Sequence, residues 1–529
     1  MVIDSVIWAI LIVIACGLIT RASQTLWLKP ARVRSALRRQ GISGPPPTFF
    51  VGNSIEANRM IQSKLNLTTT NPPPPCEFDR PHLSDDWLDS IYPHLQHWAR
   101  IYGKVYMFST GTKQHLYIAD PQLLKEINLH KSFDLGRPSS LSQITKPLLG
   151  EGILKSNGPS WAFQRKLIAP HFFAHEIKGM AAQMEETVRV LISQWESKIQ
   201  DSRSSSVEVV VDEDLLTVSA DIISKCCFGS SYLQGKQIFA KLAALQSTLS
   251  RPNYIFESLP ILRYFPTAKS KEASKLQKEV DGLIVEVVNK RIEDGKASGE
   301  QENDLLQSIL VASGADKGSR VRLTSFIVDN CKTIYFAGSK TTALTASWCL
   351  LHLALYPEWQ ERVRAEIDLV LSENDQLITM EAMQKLKVLT MVIHETLRLY
   401  GPSVIATREA FGDVKLGGIL VPKETCLWTL LPVLHRDPDY WGSDANEFNP
   451  ERFVNGHSEA SKHPFAYLPF GSGPRVCLGM NFAMLELKIV LSLLILNFHF
   501  SASPEYKHSP ICRMVLVPGN GIRLIARSV

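Results

Sequence analysis

The chain has 529 residues, of which 45% are hydrophobic and 21% are charged. This composition is typical of a folded protein with a large core, and it excludes a disordered or collagen-like chain. The 57 basic residues exceed the 52 acidic residues by too little, and too evenly along the chain, to indicate a nucleic-acid-binding protein. Nine cysteines without a CxxC pair disfavour a zinc ribbon or a dithiol redox motif, and their odd number favours reduced thiols.

An apolar segment lies at the N-terminus of the chain. Residues 5–19 are nearly all apolar, and with their flanks they approach the roughly 20 residues that span a bilayer as a helix. Six basic residues and no acidic residue lie at positions 21–39, which predicts a cytosolic body under the positive-inside rule. A cleaved signal peptide is the alternative, but its usual basic N-terminal region is replaced here by Asp4. We therefore predict a transmembrane anchor over residues 1–20.

The rest of the chain is expected to form one large helical unit. Helical periodicity predicts long amphipathic helices near residues 173–200, 272–293, 324–372 and 380–400. Shorter segments of β character lie near residues 104–109, 115–119, 414–421 and 514–526. They are too few and too scattered for a doubly wound sheet, so the sequence predicts a mainly α fold with small β-sheets. A Thr- and Pro-rich stretch at 68–75 predicts a surface loop.

The most specific motif is a glycine-rich loop from Pro469 to Gly479 that contains Cys477 and precedes an apolar segment, residues 480–496. Glycines permit tight turns, and the N–H groups and dipole at a helix N-terminus favour the thiolate form of a nearby cysteine. Such a thiolate is suited to binding a metal. The alternative is a buried free cysteine, which is the usual role of a single cysteine.

The pattern Phe-x-x-Gly-x-Arg-x-Cys-x-Gly, from Phe470 to Gly479, resembles the haem-binding loop of the cytochrome P-450 family. The resemblance implies haem b as the cofactor and Cys477 as the axial ligand of its iron. It also places Phe470 against the haem and Arg475 near a haem propionate.

Further motifs occur in the order that is typical of that family. Glu395 and Arg398 lie three residues apart on one predicted helix face, and Arg452 follows in Pro450–Phe453. By resemblance these three side chains form a buried structural network that supports the haem loop. Their expected role is in the fold and not in the chemistry.

Three more residues resemble the family's propionate-binding side chains. They are Trp161 and Arg165 on one helix, and Arg408 in a strand-like segment. Guanidinium groups suit carboxylates because they stay charged and can bind in a bidentate manner.

Residues 337–342, Ala-Gly-Ser-Lys-Thr-Thr, resemble the family's distal helix. There, small residues leave room for dioxygen, and an acid followed by a threonine delivers protons. Ala337, Gly338 and Thr341 fit this pattern, but Lys340 occupies the position of the acid. We take these four as the catalytic candidates. For Lys340 three roles stay open: a surface residue, a cationic donor in a water chain, or the mark of a reaction without ordinary proton delivery.

Several segments are expected to line a hydrophobic pocket: residues 134–155, Tyr335, residues 401–406 and residues 513–515. The chain also resembles a plant branch of the family that oxidises gibberellins, other terpenoids and hormones. The segments that carry this resemblance are Leu26–Pro30, Cys331–Gly338 and Leu434–Pro438. It implies a class of substrate and no single substrate.

Together these features predict a cytochrome P-450 fold with an N-terminal single-pass membrane anchor. The predicted parts are the anchor at 1–20, a basic and proline-rich linker at 21–48, and a haem-thiolate catalytic domain at 49–529. The resemblance implies a monooxygenase of the endoplasmic reticulum membrane that faces the cytosol, uses dioxygen, and receives NADPH electrons from a flavoprotein reductase. The alternatives are a haem-dependent rearrangement or coupling enzyme, and a haem-binding membrane protein with little catalysis.

Overall fold

A computed structural model describes residues 2–70, 87–202, 205–229, 232–250, 267–298, 304–312, 320–374 and 378–529. Most of the described chain is helical, and the strands form small sheets, as the sequence predicts. Of the loop predicted at 68–75, Thr68–Thr70 belong to a helix and the remainder lies outside the described residues.

The described helices vary from one turn to ten turns in length. In chain order they are α1 Val2–Ser23, α2 Lys29–Arg38, α3 Ser54–Thr70, α4 Trp87–Ile91, α5 Pro93–Tyr102, α6 Pro121–Leu129, α7 Ser139–Ile144, α8 Lys146–Leu149, α9 Gly158–Ile168, α10 Ala174–Lys178, α11 Ala181–Asp201, α12 Val211–Phe228, α13 Tyr232–Leu249, α14 Ala268–Ser298, α15 Leu305–Ala312, α16 Arg320–Leu355, α17 Pro357–Ser372, α18 Met380–Lys385, α19 Lys387–Tyr400, α20 Leu431–Leu434, α21 Pro438–Trp441 and α22 Met480–Asn497.

The strands are β1 Val105–Thr110, β2 Lys113–Ile118, β3 Leu135–Gly136, β4 Ser206–Val210, β5 Ile405–Ala410, β6 Val414–Leu416, β7 Ile419–Val421, β8 Cys426–Leu430, β9 Phe498–Ala502, β10 Pro510–Arg513, β11 Val515–Pro518 and β12 Arg523–Ser528. The largest sheet has the order β1-β2-β8-β5-β3, and only its β2–β8 pair is parallel. A second sheet has the order β4-β12-β9, and β6-β7 and β10-β11 are hairpins. The register of β3 on β5 pairs Gly136 with Glu409, so the residues that follow β3 lie beside β5.

Two of the predicted long helices are each divided in the structure. α16 ends at Leu355, and α17 begins with Pro357 in its first turn. A proline lacks the N–H donor of an inner helical turn and clashes with the turn before it, so the helix is interrupted there. α18 and α19 are separated by Leu386, whose ψ of 90° is not helical.

The core surrounds α16, which packs on α12, α19 and α22. Among the described residues, one helix is long and apolar enough to cross a membrane, and this is α22. About two thirds of α22 is buried inside the body, with Leu491, Leu494 and Ile495 fully buried. Each such side chain contributes about 1.5–3 kcal/mol by leaving water, so this helix is accounted for as a core element.

The N-terminal part is helical well beyond the predicted anchor. A π-helical turn, Gln24–Leu28, connects α1 to α2. α2 packs on the large sheet through Leu37, which is fully buried, and through an ion pair of 2.7 Å between Lys29 Nζ and Glu424 Oε1. The segment predicted as a linker, residues 21–48, is therefore helical as far as Arg38, and its α2 part is docked on the body. It continues as irregular chain at 42–47 beside β1, where a Cβ at Gly44 would lie 1.8 Å from the Met107 carbonyl oxygen.

Candidate active site

A large cavity lies between α16, α9, β5 and the glycine-rich loop of Cys477. Its volume is about 2210 Å³, more than twice the ~1,000 Å³ that a large drug-sized pocket reaches. The wall is mainly apolar, and Cys477 lies in it. The cavity can therefore hold a large prosthetic group together with a hydrophobic substrate.

The loop that carries Cys477 is closed by its own backbone. The Cys477 N–H donates to the Phe470 carbonyl at 2.9 Å, and the Val476 N–H donates to the Gly473 carbonyl at 3.1 Å. Gly473 has a φ of 67°, and a Cβ there would lie 1.9 Å from the Asn128 carbonyl oxygen. Only glycine fits this conformation and this close approach.

Burial and local charge act in opposite directions on the thiol of Cys477. Cys477 is accessible, but the surface that it presents lines the cavity. Burial raises the pKa of the thiol, whereas a hydrogen bond from the Gly479 N–H and the nearby Arg165 guanidinium lower it. A bound metal ion would deprotonate the thiol outright.

Four arginines line the same cavity, and no aspartate or glutamate does so among the described residues. They are Arg137, Arg165, Arg408 and Arg475. Burial is the main cause that lowers the pKa of each, to about 9 for Arg408 and about 10 for Arg475. Repulsion from neighbouring arginines lowers the pKa of Arg408 and Arg475 further. Four partly buried cations without a lining acid favour the binding of an anionic ligand.

Asn157 holds two of these arginines in place. Its Oδ1 accepts from the Arg137 backbone N–H at 2.7 Å and from Arg475 Nη2 at 2.9 Å. Its Nδ2 donates to the Arg137 carbonyl at 3.0 Å. Arg475 also lies over the Trp161 ring, 4.5 Å from the ring centroid, and donates to the Ser156 carbonyl. The bonds leave Arg137 Nε buried and without a hydrogen-bond partner among the described residues.

The other two arginines are bound to the backbone that frames the cavity. Arg165 Nη1 donates to the Val476 carbonyl, next to Cys477, at 2.7 Å. Arg408 Nη1 donates to the Thr407 carbonyl at 2.9 Å. α9 and β5, which are far apart in the sequence, thus both direct cations at the cavity.

A buried ionic network supports the cysteine loop from behind. Glu395 and Arg398 are fully buried on α19 and form two hydrogen bonds of 2.7 Å, and Arg452 Nε lies 3.5 Å from Glu395 Oε1. Arg398 Nη1 also donates to the His435 carbonyl at 2.9 Å, and His435 Nε2 accepts from the Leu468 N–H at 2.9 Å. Burial lowers the pKa of His435 to about 3, so this imidazole is neutral and can accept. The network therefore reaches Leu468, the residue directly before the cysteine loop.

The distal wall of the cavity is the stretch of α16 from Ala337 to Thr342. Ala337, Gly338 and Thr341 line the cavity, and Thr341 Oγ1 donates to the Ala337 carbonyl at 2.8 Å. A Cβ at Gly338 would lie 2.6 Å from Ile223 Cδ1 on α12. The glycine is therefore needed for the packing of α12 on α16 as well as for space in the cavity.

Comparison with known proteins agrees with this geometry. Residues 82–526 match the family model described as Cytochrome P-450. This chain belongs to the cytochrome P-450 family. It is 43% identical to cytochrome P-450 714C2 of Oryza sativa subsp. japonica over 95% of this chain and 94% of that protein. It is 40% identical to cytochrome P-450 714A2 of Arabidopsis thaliana over 98% of this chain and 97% of that protein. A third relative, cytochrome P-450 714B3 of Zea mays, is 40% identical over 97% of this chain and 94% of that protein.

Members of the cytochrome P-450 family are haem-dependent monooxygenases, and the residues of this P-450 fit a haem. The thiol of Cys477 is accessible from the cavity, and four partly buried guanidinium groups without a lining acid match the two carboxylates of the porphyrin. The unpartnered Arg137 Nε is an additional donor for them. Cys477 would be the iron ligand, and Arg137, Arg165, Arg408 and Arg475 the candidates for the propionates.

The structure does not bring Lys340 into the cavity of this P-450. Its ammonium turns to α13 and donates to Gln246 Oε1 at 2.7 Å. Burial, with Arg513 as a second cause, lowers the pKa of Lys340 to about 8. Tyr335, which we expected in the pocket, stacks on Phe228 in the core with 4.1 Å between ring centroids.

Other sequence-predicted residues do reach the cavity: Phe470, Trp161, the turn after Gly401, and Met514 with Val515. Arg513, which was predicted with Met514 and Val515, is not among the lining residues. Arg137 and Asn157 were missed. Arg137 lies in the predicted pocket loop, but only the pairing of β3 with β5 shows that it points its charge toward Arg408. Asn157 carries no motif, and only the hydrogen bonds to Arg137 and Arg475 reveal it.

Proposed function

We propose that this P-450 oxidises a hydrophobic plant metabolite of the terpenoid or gibberellin-hormone type. The observation that carries this proposal is the cavity. It exceeds what a haem alone requires, and the part beyond the arginines is lined mainly by apolar or small side chains such as Leu141, Ile144, Val404 and Ile405. A bulky substrate with few polar groups fits such a wall.

The chain's own residues take the following proposed roles. Cys477 would hold the iron, and the four arginines would hold the propionates and fix the orientation of the porphyrin. The bound haem supplies the oxygen chemistry. Thr341 Oγ, now bonded to the Ala337 carbonyl, is the hydroxyl on the distal wall that can hold or pass a proton. Ala337 and Gly338 leave space beside it.

We also propose that the protein is held by α1 in the endoplasmic reticulum membrane with its body in the cytosol. The described apolar side chains of α1 point away from the body and are exposed: Ile7, Trp8, Ile10, Leu11, Ile12, Val13 and Ile14. A contiguous apolar surface of this kind marks a membrane or partner contact. In this location the electrons come from NADPH through a flavoprotein reductase.

The alternative of a rearrangement or coupling enzyme depended on Lys340 in the place of the acid. Because the Lys340 ammonium bonds to Gln246, no described residue of the cavity favours that alternative. Product analysis decides between the reactions.

The test is turnover with a purified flavoprotein reductase, NADPH and a panel of terpenoids that includes gibberellin-type acids. We expect NADPH consumption that depends on one substrate class and a product that gains oxygen. A product isomeric with its substrate would indicate rearrangement, and no substrate-dependent consumption would indicate a haem protein with little catalysis. Cys477→Ala is the control for non-enzymatic oxidation.

The anchor is tested by deleting residues 1–20 and no more, since α2 is docked on the sheet through Leu37. We expect much of the protein to move to the soluble fraction and to keep its haem, with some residual membrane association. A truncated protein that is soluble but cannot take up haem would contradict the independence of the anchor and the body.

A further inference from the structure

Two hydrogen bonds join three separate elements above the cavity. Lys340 Nζ on α16 donates to Gln246 Oε1 on α13 at 2.7 Å. Gln246 Nε2 in turn donates to the Arg513 carbonyl, at the end of β10, at 2.6 Å. We call this chain of Lys340, Gln246 and the Arg513 carbonyl the roof bridge.

The elements that the roof bridge joins all contribute to the cavity wall. Thr341, next to Lys340, lines the cavity on the distal wall. Leu249 and Ser250, at the end of α13, also line the cavity, and so does Met514 in the turn between β10 and β11. Met514 has a φ of 66°, a conformation that a side chain rarely adopts, so this turn needs support from its surroundings.

The electrostatics of the bridge are unusual for a half-buried lysine. Among the described residues Lys340 has no carboxylate partner, and its hydrogen bond is to the neutral amide of Gln246, which is 2% exposed. Arg513, a like charge, acts on it and lowers its pKa further. Burial and the repulsion from Arg513 both make it unfavourable to keep a charge on Lys340. Its hydrogen bond to Gln246 therefore helps to stabilise the ammonium in this place.

We propose that Lys340 is a positioning residue that fixes the roof of the substrate cavity, holding α13 and the β10–β11 turn at a set distance from the distal wall through Gln246. The proposal rests on the proposed function, because the roof matters only if the cavity binds a substrate beside haem. It gives the lysine a role in selecting and orienting the substrate. Lys340, at the position where the family has an acid, would thus serve to connect α16 to α13 and to the β10–β11 turn.

The amide of Gln246 can face both partners only in one orientation. Its oxygen accepts from the Lys340 ammonium, and its nitrogen donates to the Arg513 carbonyl. A carboxylate in place of this amide has no N–H group and cannot make the second bond. Gln246→Glu would keep a bond to Lys340 and lose the donor to Arg513. This substitution therefore separates the two halves of the roof bridge.

The first test is hydrogen–deuterium exchange of the haem-loaded protein, read in the peptides 243–250 and 510–518. In Lys340→Met and Gln246→Leu we expect exchange in both peptides to rise at least about fivefold, because a hydrogen bond to a charged group is lost. In Gln246→Glu only the 510–518 peptide should rise. The matched control is Lys241→Met on the same helix, which removes the ion pair to Glu279 and should leave 510–518 unchanged.

The second test measures the room above the haem with two azoles, imidazole and the much larger clotrimazole, by the shift of the Soret band. We expect imidazole affinity to change less than about twofold. The dissociation rate of clotrimazole should rise at least about fivefold in Lys340→Met and in Gln246→Leu, with no further rise in the double variant, since both break one chain.

Unchanged exchange in both peptides, or effects of the two substitutions that simply add, would overturn the roof bridge. So would a rise spread over the whole chain and matched by Lys241→Met. The exchange result stands whether or not an azole binds. By contrast, a wild-type protein that shows no Soret shift with either azole would contradict the proposed haem-thiolate function.

Discussion

The proximal side of the cavity, with the Cys477 loop and the Glu395–Arg398–Arg452 network, differs from the distal roof in how its structure is fixed. The proximal side is held by many short bonds within the body, such as those from Arg398 to Glu395 and to the His435 carbonyl. In the roof, the polar link between α16, α13 and the end of β10 consists of one lysine, one amide and one carbonyl. We therefore expect the proximal side to be rigid, and the roof to be the part whose position can change with the substrate.

The largest expected effect is on the metal centre. Cys477→Ala should abolish the thiolate-type absorption band of the reduced carbon monoxide complex, because no other described cysteine of the loop can replace the ligand. The matched control is Cys512→Ala, which removes another thiol of the cavity wall. The control should keep the band. A normal spectrum in the Cys477 variant would refute the assignment of the ligand.

The next effect is on the proximal network. Glu395→Gln leaves Arg398 buried beside a neutral group, and breaking a buried pair in this way costs about 3–5 kcal/mol. We expect a low yield of haem-loaded protein and a large loss of thermal stability. The control is Glu451→Gln in the neighbouring turn, which breaks an exposed pair with Arg362 worth about 0–1 kcal/mol. Equal losses in the two variants would show that the buried network is not what supports the loop.

A third prediction concerns pH and a buried acid on α22. Glu486 is 1% exposed, accepts from Ser219 Oγ at 2.6 Å, and burial raises its pKa to about 8. The unfolded carboxyl ionises near its ordinary value, so between roughly pH 4.5 and 8 the unfolded chain holds fewer protons and stability falls as the pH rises. The contribution across that window is on the order of 3–5 kcal/mol.

We therefore expect Glu486→Gln to flatten the dependence of the melting temperature on pH between 5 and 8. The control is Glu279→Gln, whose carboxyl pairs with Lys241 near the surface and has a lowered pKa, so it stays ionised in this window. Thermal melts of the haem-loaded variants, monitored by circular dichroism, provide the measurement. If Glu486→Gln showed the same pH dependence of the melting temperature as the wild-type protein, the Glu486 carboxyl would be ionised in the folded protein.

The two sides of the cavity also differ in how far the sequence predicts them. The Cys477 loop is contiguous, so its glycines, arginine and cysteine form a recognisable pattern. Glu395 and Arg398 are three residues apart on one helix. Lys340 and Gln246 are 94 residues apart, and Asn157 and Arg475 are 318 apart, so neither contact leaves a local signal.

The same reasoning explains what was missed in the fold. β8, Cys-Leu-Trp-Thr-Leu, lies inside the large sheet and is buried along most of its length, so it lacks the alternation that marks a half-exposed strand. The division of α16 from α17 depends on one proline. Its effect was underestimated because the apolar period continues on both sides of Pro357.

The smallest expected effect lies at the border of the two sides, at Asn157. Asn157→Ala removes the bonds that position Arg137 and Arg475, each worth about 0.5–1.5 kcal/mol or somewhat more for the charged one. The cations remain, so we expect haem to bind but to be lost about tenfold faster, measured by transfer to an excess of apomyoglobin. Asn128→Ala is the control, since Asn128 also lines the cavity but its Nδ2 bonds to the Leu124 carbonyl within α6. Equal haem loss in both variants would show that the arginines need no positioning, and that their charge alone retains the propionates.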